Sequence, residues 1–267
     1  MSRPLISVIV PAYGAQATIG RCVASLLEGG LPLAEVEVLV EPDDATSYAW
    51  LGQGDGPVKV AAPGPQGTGP GPTRNRALRR ATGDWITYVD ADDHVAPGYL
   101  AHLLAMARRQ GAALAQTRIT RQGKVVMHVG ADGAPLTLED WARSGVSLRG
   151  LLHRSRCPDF IDQPAQDILH ILEASLRHDQ QMAFSRAVYV LTLGRDTVTT
   201  QPDFAERIAT AYGRHIRYLE RQYKHAPQLP DAVAFWQAKA ELNRRFAQSA
   251  AGTSFYEFVA STLQEAG

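Results

Sequence analysis

The first 110 residues alternate between short β-branched runs and helical patterns, and this alternation restricts the fold more than any other feature. Leu5-Ile-Ser-Val-Ile-Val10 reads as a buried parallel strand, because its apolar character is almost continuous. Residues Ala15 to Glu28 carry Ile19, Val23, Leu26 and Leu27 at helical spacing and stop at Gly29-Gly30. Val36 to Val40 is a second strand, Val58 to Ala61 a weaker third and Asp84 to Val89 a fourth. Thr73 to Ala81 and Pro97 to Gln110 read as helices, with Pro97 near a first helical position. The order βαββαβα predicts an α/β fold, a mostly parallel sheet flanked by helices on both faces.

The second half changes character. Leu114 to Val129 suggests a strand pair turning at Gln122-Gly123, and Pro164 to His178 looks helical. Met182 to Leu191 fits either a helix or an extended segment. Three helical patterns follow, Pro202 to Lys224, Pro230 to Ser249 and Ser254 to Ala266, and these read as a C-terminal helical annex. The expected division is residues 1–200 and an annex at 201–267, with 1–98 and 99–200 as the two halves of the first unit. Ala62 to Pro72, rich in Gly and Pro, lies between a strand and a helix and reads as a site-lining loop.

Lysine and arginine total 27, as do aspartate and glutamate, so the chain has no net charge. That balance argues against a nucleic-acid partner. Cys22 and Cys157 form neither a disulfide framework nor a zinc pattern. No apolar stretch has the length of a signal peptide or a membrane span. A cytoplasmic location is expected, with peripheral membrane attachment left open.

The chemistry concentrates between Arg74 and Asp93. A helix bearing Arg74 and Asn75 passes through Thr82-Gly83 into a strand that ends in Asp90-Ala91-Asp92-Asp93. Ligand sites of open α/β sheets lie at the carboxyl ends of strands. Clustered carboxylates repel one another, and a divalent metal whose shell is completed by diphosphate oxygens relieves that repulsion. A solvated acidic turn is the plain alternative. An EF-hand is excluded, since Val95 and Ala101 stand where its Gly and Glu belong. Gly67-Thr-Gly-Pro-Gly71 has neither dinucleotide nor P-loop spacing.

With Ser7-Val-Ile-Val-Pro-Ala-Tyr13 and Val38-Leu-Val-Glu-Pro-Asp-Asp44, this block resembles the family 2 glycosyltransferases of the GT-A fold, over roughly Ile6 to Gly98. The resemblance implies that Pro11, Ala12 and Tyr13 hold the nucleotide base, and that Asp43 and Asp44 form the acidic pair beside it. Ala45-Thr46-Ser47-Tyr48 departs from the family's usual continuation. The resemblance also puts Arg74 and Asn75 near the nucleotide, Asp90 on its sugar, and Asp92, then Asp93, on a Mn2+ or Mg2+ ion. The family's acidic pair in the second half matches Gln166-Asp167, which implies that Asp167 is the base that deprotonates the acceptor. Asp159 and Asp162 are the runners-up, and an ordinary first-turn acid is the alternative for Asp167.

His153, His170 and His178 are weaker candidates for metal or diphosphate contact, as are Arg154, Arg156 and Arg195 for the leaving diphosphate. Trp85 is expected to pack in its strand, and Trp141 is a candidate for stacking on a sugar. The implied activity is metal-dependent, inverting transfer from a nucleoside diphosphate sugar, UDP-sugar foremost, to a glycan, lipid-linked or small-molecule acceptor. A sugar nucleotidyltransferase and a non-catalytic nucleotide-sugar-binding protein are the rivals. The annex is expected to serve assembly, as in a homodimer, or acceptor docking, and its apolar stripe, Phe204, Ile208, Tyr212, Ile216 and Tyr218-Leu219, to pack foremost against its own domain.

Overall fold

A computed structural model of the chain describes residues 3–52, 54–177, 182–194, 199, 201, 203–249 and 253–265. Its first half carries strands β1 (Ile6–Ala12), β2 (Val36–Pro42), β3 (Val58–Val60) and β4 (Trp85–Tyr88). They lie side by side as β3-β2-β1-β4, every pair parallel. The continuous apolar run of β1 has a simple origin, since both of its faces are covered. Ile6, Val8 and Val10 face the core shared with helices α1 (Ile19–Leu27) and α3 (Tyr99–Gln110). Ile9 points the other way, toward Ala77 of helix α2 (Pro70–Arg80) and Ala81 just past its end.

The second half joins this sheet mainly through antiparallel pairs, so the whole is mixed. Strand β6 (Ala112–Arg121) forms a hairpin with β7 (Lys124–Val129) across Gln122 (φ 50°) and Gly123 (φ 77°). Two successive positive φ angles suit the twist of a tight hairpin and explain Gly at the second position. Strand β8 (Gly150–His153) lies antiparallel between β4 and β6, and a Cβ at Gly150 would sit 3.0 Å from the Ala113 carbonyl oxygen. Met182 to Leu191, open to two readings in sequence, falls mostly in strand β9 (Phe184–Leu193), parallel to β6 and antiparallel to the short β5 (His94–Val95).

Helices α4 (Leu138–Ser144) and α5 (Gln166–Arg177) cover this half. The annex forms the three expected helices, α6 (Phe204–Gln222), α7 (Leu229–Ala247) and α8 (Phe255–Glu265). Its apolar stripe does not stand apart: Phe204, Ile208, Tyr212, Trp236 and Phe255 share one core with Leu148, Ile168 and Leu172. Trp141 belongs to that core, 1 % exposed, with its indole N–H donated to the Val146 carbonyl at 2.9 Å. It is therefore a packing residue and not a sugar platform. Among the described residues no helix is long and apolar enough to cross a membrane.

Candidate functional site

The carboxyl ends of β1 and β2 hold the first group of expected residues. Pro11 and Ala12 close β1, and Tyr13 projects from it, 71 % exposed. Asp43 is buried. It accepts from the Thr68 hydroxyl (2.6 Å), from the Thr68 and Gly69 amides (3.1 and 2.9 Å) and from Arg76 Nη2 (3.1 Å). Burial opposes its ionisation, but these hydrogen bonds prevail and hold its carboxyl below the ordinary value. The Gly- and Pro-rich loop is thus drawn onto Asp43. It ends at Gly69 (φ 87°), so α2 begins at Pro70, three residues earlier than expected. Asp44 turns toward β1, accepting from the Gly14 amide, the Thr46 amide (3.0 Å) and the Tyr48 hydroxyl (3.0 Å). Tyr48, a departure from the family pattern, is a strut: its oxygen also accepts the Ala15 N–H at 3.1 Å.

The second group is a chain of alternating charges. Arg74, 3 % exposed, donates to Asp90 Oδ1. Arg149, 5 % exposed, donates through Nη2 to Asp90 Oδ2. Its Nη1 reaches Ser147 Oγ at 2.6 Å and Asp167 Oδ2 at 3.4 Å, and Ser147 Oγ donates to the same Asp167 oxygen at 2.7 Å. One guanidinium therefore ties the end of β4 to the start of α5. Burial opposes charge on Asp90, yet the two arginines dominate and depress its carboxyl strongly. The Arg149 guanidinium also lies over the Tyr189 ring, 4.9 Å from its centre. Tyr189 in turn donates its hydroxyl to Asp93.

Asp93 is buried, and its other oxygen accepts the Thr192 N–H at 2.8 Å. Burial first, then the charges of Asp92 and Asp90, push its carboxyl up. Asp92 is the exposed member of the three, and among the described residues no other residue donates to its carboxylate. Crowding by protein around that group, with the Asp90 charge, raises it too. Asp93 is thus held inside the fold by its own hydrogen bonds, whereas Asp92 faces outward. Ala165, in the left-handed region at φ 58°, turns the chain into α5 just before Asp167.

Arg74, Arg149 and Asp167 line one recess, with Asp90 held between the two arginines; Asp92 and Asp93 follow Asp90 in the chain, and the Pro11–Tyr13 and Asp43–Asp44 group lies at the adjoining strand ends. Asn75 is elsewhere. Its side-chain amide donates to the Phe160 carbonyl (2.7 Å) and accepts the Phe160 N–H (2.8 Å), pinning the loop before α5 onto α2. His170 lines the recess, buried and stacked on Phe160 at 4.0 Å; desolvation and nearby arginines lower its pKa to about 3, so the ring is neutral. His153 packs edge-on against Trp85, at 5.4 Å. Arg154 donates to the Ala81 carbonyl at 3.2 Å. Asp159 and Asp162 are exposed, and His178 and Arg195 lie outside the described residues.

Sequence reasoning missed Arg149 and Ser147. Their signal was a lone arginine in the apolar run Val146-Ser-Leu-Arg-Gly-Leu-Leu152, where a buried charge demands carboxylate partners.

Residues 7–141 match the family model described as Glycosyl transferase family 2. The succinoglycan biosynthesis protein ExoO of Rhizobium meliloti is 35 % identical over 117 residues, 42 % of this chain and 32 % of that protein. The poly(ribitol-phosphate) β-N-acetylglucosaminyltransferase TarS of Staphylococcus aureus is 33 % identical over 93 residues, 33 % of this chain and 16 % of TarS. The matched stretch thus spans a third or less of either relative. Among solved structures, residues 1–349 of S. aureus TarS in complex with UDP-GlcNAc superpose with a TM-score of 0.59 at 18 % identity, covering 98 % of this chain and 92 % of that one. The mannosyltransferase PcManGT of Pyrobaculum calidifontis, in complex with GDP-Man and Mn2+, gives 0.63 at 18 % identity, covering 99 % and 75 %. The fold is that of the GT-A transferases. By sequence match and fold together, the chain belongs to glycosyltransferase family 2.

Proposed function

We propose that this enzyme moves a sugar from a nucleoside diphosphate sugar, a UDP-sugar foremost, to an acceptor hydroxyl with inversion at the anomeric carbon. The observation that carries the reading is the Arg149 bridge, because it sets Asp167 beside the carboxylates that end β4. The complexes of structural neighbours with UDP-GlcNAc and with GDP-Man and Mn2+ support the donor class and a divalent ion. In this reading residues 1–98 hold the donor, 99–200 face the acceptor and 201–267 form the annex. Two free thiols, Cys22 and Cys157, suit the cytoplasm.

Asp167 Oδ2 already receives Ser147 and Arg149, whereas among the described residues Oδ1 accepts only the Ile168 N–H at 3.0 Å. Oδ1 is therefore the atom that takes the acceptor proton as the acceptor oxygen forms its bond to the anomeric carbon and the diphosphate leaves. Arg149 and Ser147 orient the carboxylate. Tyr13 and the backbone of Pro11 and Ala12 flank the base, with Asp43 and Asp44 shaping the loops around it.

The residues present fit a divalent ion held mainly by the substrate. Mg2+ is commonly bound through one or two carboxylates plus phosphate oxygens, and Asp92 presents one outward carboxylate while Asp90 and Asp93 are taken by protein donors. Mn2+ or Mg2+ bound there would stabilise charge on the leaving diphosphate.

Calorimetric titration with UDP, with and without Mn2+, tests the donor site. Asp92→Ala should lose most of the Mn2+-dependent affinity and change little in EDTA. Equal affinity of parent and variant in Mn2+ would remove Asp92 from the site. UDP binding without sugar transfer or donor hydrolysis, across many nucleotide sugars and acceptors, would turn the reading to a binding protein.

A further inference from the structure

Helix α6 carries its four arginines on one line. Arg207, Thr210, Arg214, Arg217 and Arg221 recur at steps of three and four, so they share one face, and all are exposed. Lys224, also exposed, follows in the next turn. From Arg207 to Arg221 the stripe runs about 21 Å. The opposite face, Phe204, Ile208, Tyr212 and Leu219 among others, is buried in the core.

Acids offset the beginning of this stripe and not its end. Arg207 pairs with Asp203 at 3.6 Å, and Glu206 lies beside it. Beyond that point Arg214, Arg217 and Arg221 stand against Glu220 alone on this helix, and Lys224 follows just past its end. Among the described residues none of the four has an ion-pair partner. The helix dipole accounts for basic residues in the last turn only, which leaves Arg214 and Arg217 unexplained. In a chain of zero net charge, such a stripe is a local excess.

The stripe also leads somewhere. A surface recess lies between Gln163–Pro164 and the α6 residues Glu206, Arg207, Thr210 and Arg214. Arg214 Nη1 donates to Gln163 Oε1 at 2.7 Å, and the His215 ring lies 2.8 Å from the Pro164 carbonyl oxygen. Asp167 comes three residues after Pro164, in the first turn of α5. The unpaired part of the stripe, from Arg221 back to Arg214, thus reaches the loop that delivers Asp167 through the Arg214–Gln163 contact, clear of Glu206 and the paired Arg207.

We infer that the stripe from Arg214 to Lys224 binds an acceptor chain carrying repeated anionic groups, phosphate or carboxylate, and steers its reacting end toward Asp167. Guanidinium groups suit such groups, because their planar forks meet phosphate and carboxylate oxygens in pairs. Membrane insertion would require an apolar face left free, and α6 spends its own on the core. The inference rests on the reading of Asp167 as the base.

The test is binding of fluorescent inorganic polyphosphate by anisotropy at about 50 and about 200 mM salt, with neutral dextran as control. The variant Arg217→Gln/Arg221→Gln removes two exposed charges. Parent protein should bind polyphosphate and not dextran. The variant should bind about tenfold more weakly, with a shallower dependence on salt. UDP affinity, read on the same samples, should not differ, and it reports the donor site independently. Equal polyphosphate affinity in parent and variant, or no binding by the parent, would overturn the inference. Stripe-dependent binding to vesicles of equal phosphatidylcholine and phosphatidylglycerol, with none to polyphosphate, would overturn it in favour of a lipid surface.

Discussion

Arg149 carries more of the site than any residue named from sequence. Its two terminal nitrogens serve different carboxylates, Asp90 and Asp167, and among the described residues its buried Nε has no hydrogen-bond partner. Lysine keeps the charge but has no fork to span both. Arg149→Lys is therefore expected to fold and to lose turnover by about tenfold or more, with UDP affinity less affected. Arg149→Leu leaves Asp90 with one partner in a buried setting, and removing one side of a buried pair costs about 3–5 kcal/mol. Urea denaturation separates the two variants: a Leu variant as stable as the parent would show that the bridge is dispensable to the fold. For Asp167→Asn, the amide keeps the shape and cannot take a proton. Turnover should fall by about 10²-fold or more with donor affinity nearly unchanged; full turnover in the folded variant would pass the role to Asp159 or Asp162.

At the scale of elements, Glu37 joins the first four strands. From β2, 2 % exposed, it accepts from the Ser7 hydroxyl of β1 (2.6 Å) and Lys59 Nζ of β3 (2.8 Å). It also accepts the amide and hydroxyl of Thr82, in the turn that enters β4 (2.6 and 2.8 Å). Burial opposes its charge, but Lys59, Ser7 and Thr82 prevail and lower its pKa from 4.5 to about 2. A depressed carboxyl stabilises the fold above its unfolded value, near 4.5, and loses that contribution as pH falls toward about 2. The shift corresponds to something on the order of 3 kcal/mol. Glu37→Gln should melt lower than the parent at pH 7, and the gap should close as pH falls from about 4.5 to about 2. Melting curves at several pH values check this; a gap independent of pH would assign the loss to shape and not to charge.

The whole molecule has fewer independent parts than its sequence suggests. None of the annex residues matches a donor motif, yet its apolar stripe has the spacing of a face that packs on its own domain. In the fold, Phe204, Tyr212, Phe235, Trp236 and Phe255 pack into the core that holds Trp141, Leu148 and Leu172. Tyr218 and Tyr223 add hydroxyl bonds to the buried Glu173 of α5, at 3.0 and 2.8 Å. Losing one buried aromatic side chain costs about 3–5 kcal/mol, against a typical net stability of about 5–15 kcal/mol. Truncation after Gln201 should therefore yield aggregated or molten protein by size-exclusion chromatography and near-ultraviolet circular dichroism. A soluble truncated chain with the parent's UDP affinity would show that the annex is energetically separate.

The sequence by itself determined the parallel half and its acids. Strands buried on both faces announce themselves as β-branched runs, and carboxylates at their ends mark a site wherever the sheet is placed. The annex helices were legible for the same reason, since 19-residue amphipathic patterns hold their period. Strands β5 and β8, of two and four residues, are too short to carry a period, and pairing with β9, β4 and β6 defines them. Only the tertiary structure decided what each polar group does. Asn75, beside Arg74 in sequence, clamps Phe160, because consecutive helical residues point about 100° apart. Asp92 and Asp93, adjacent in the chain, part into an outward and a buried carboxylate. Arg149 meets Asp90 from 59 residues away. No local rule encodes that meeting, because a buried charge specifies that it needs partners and leaves the packing of strands and helices to choose them.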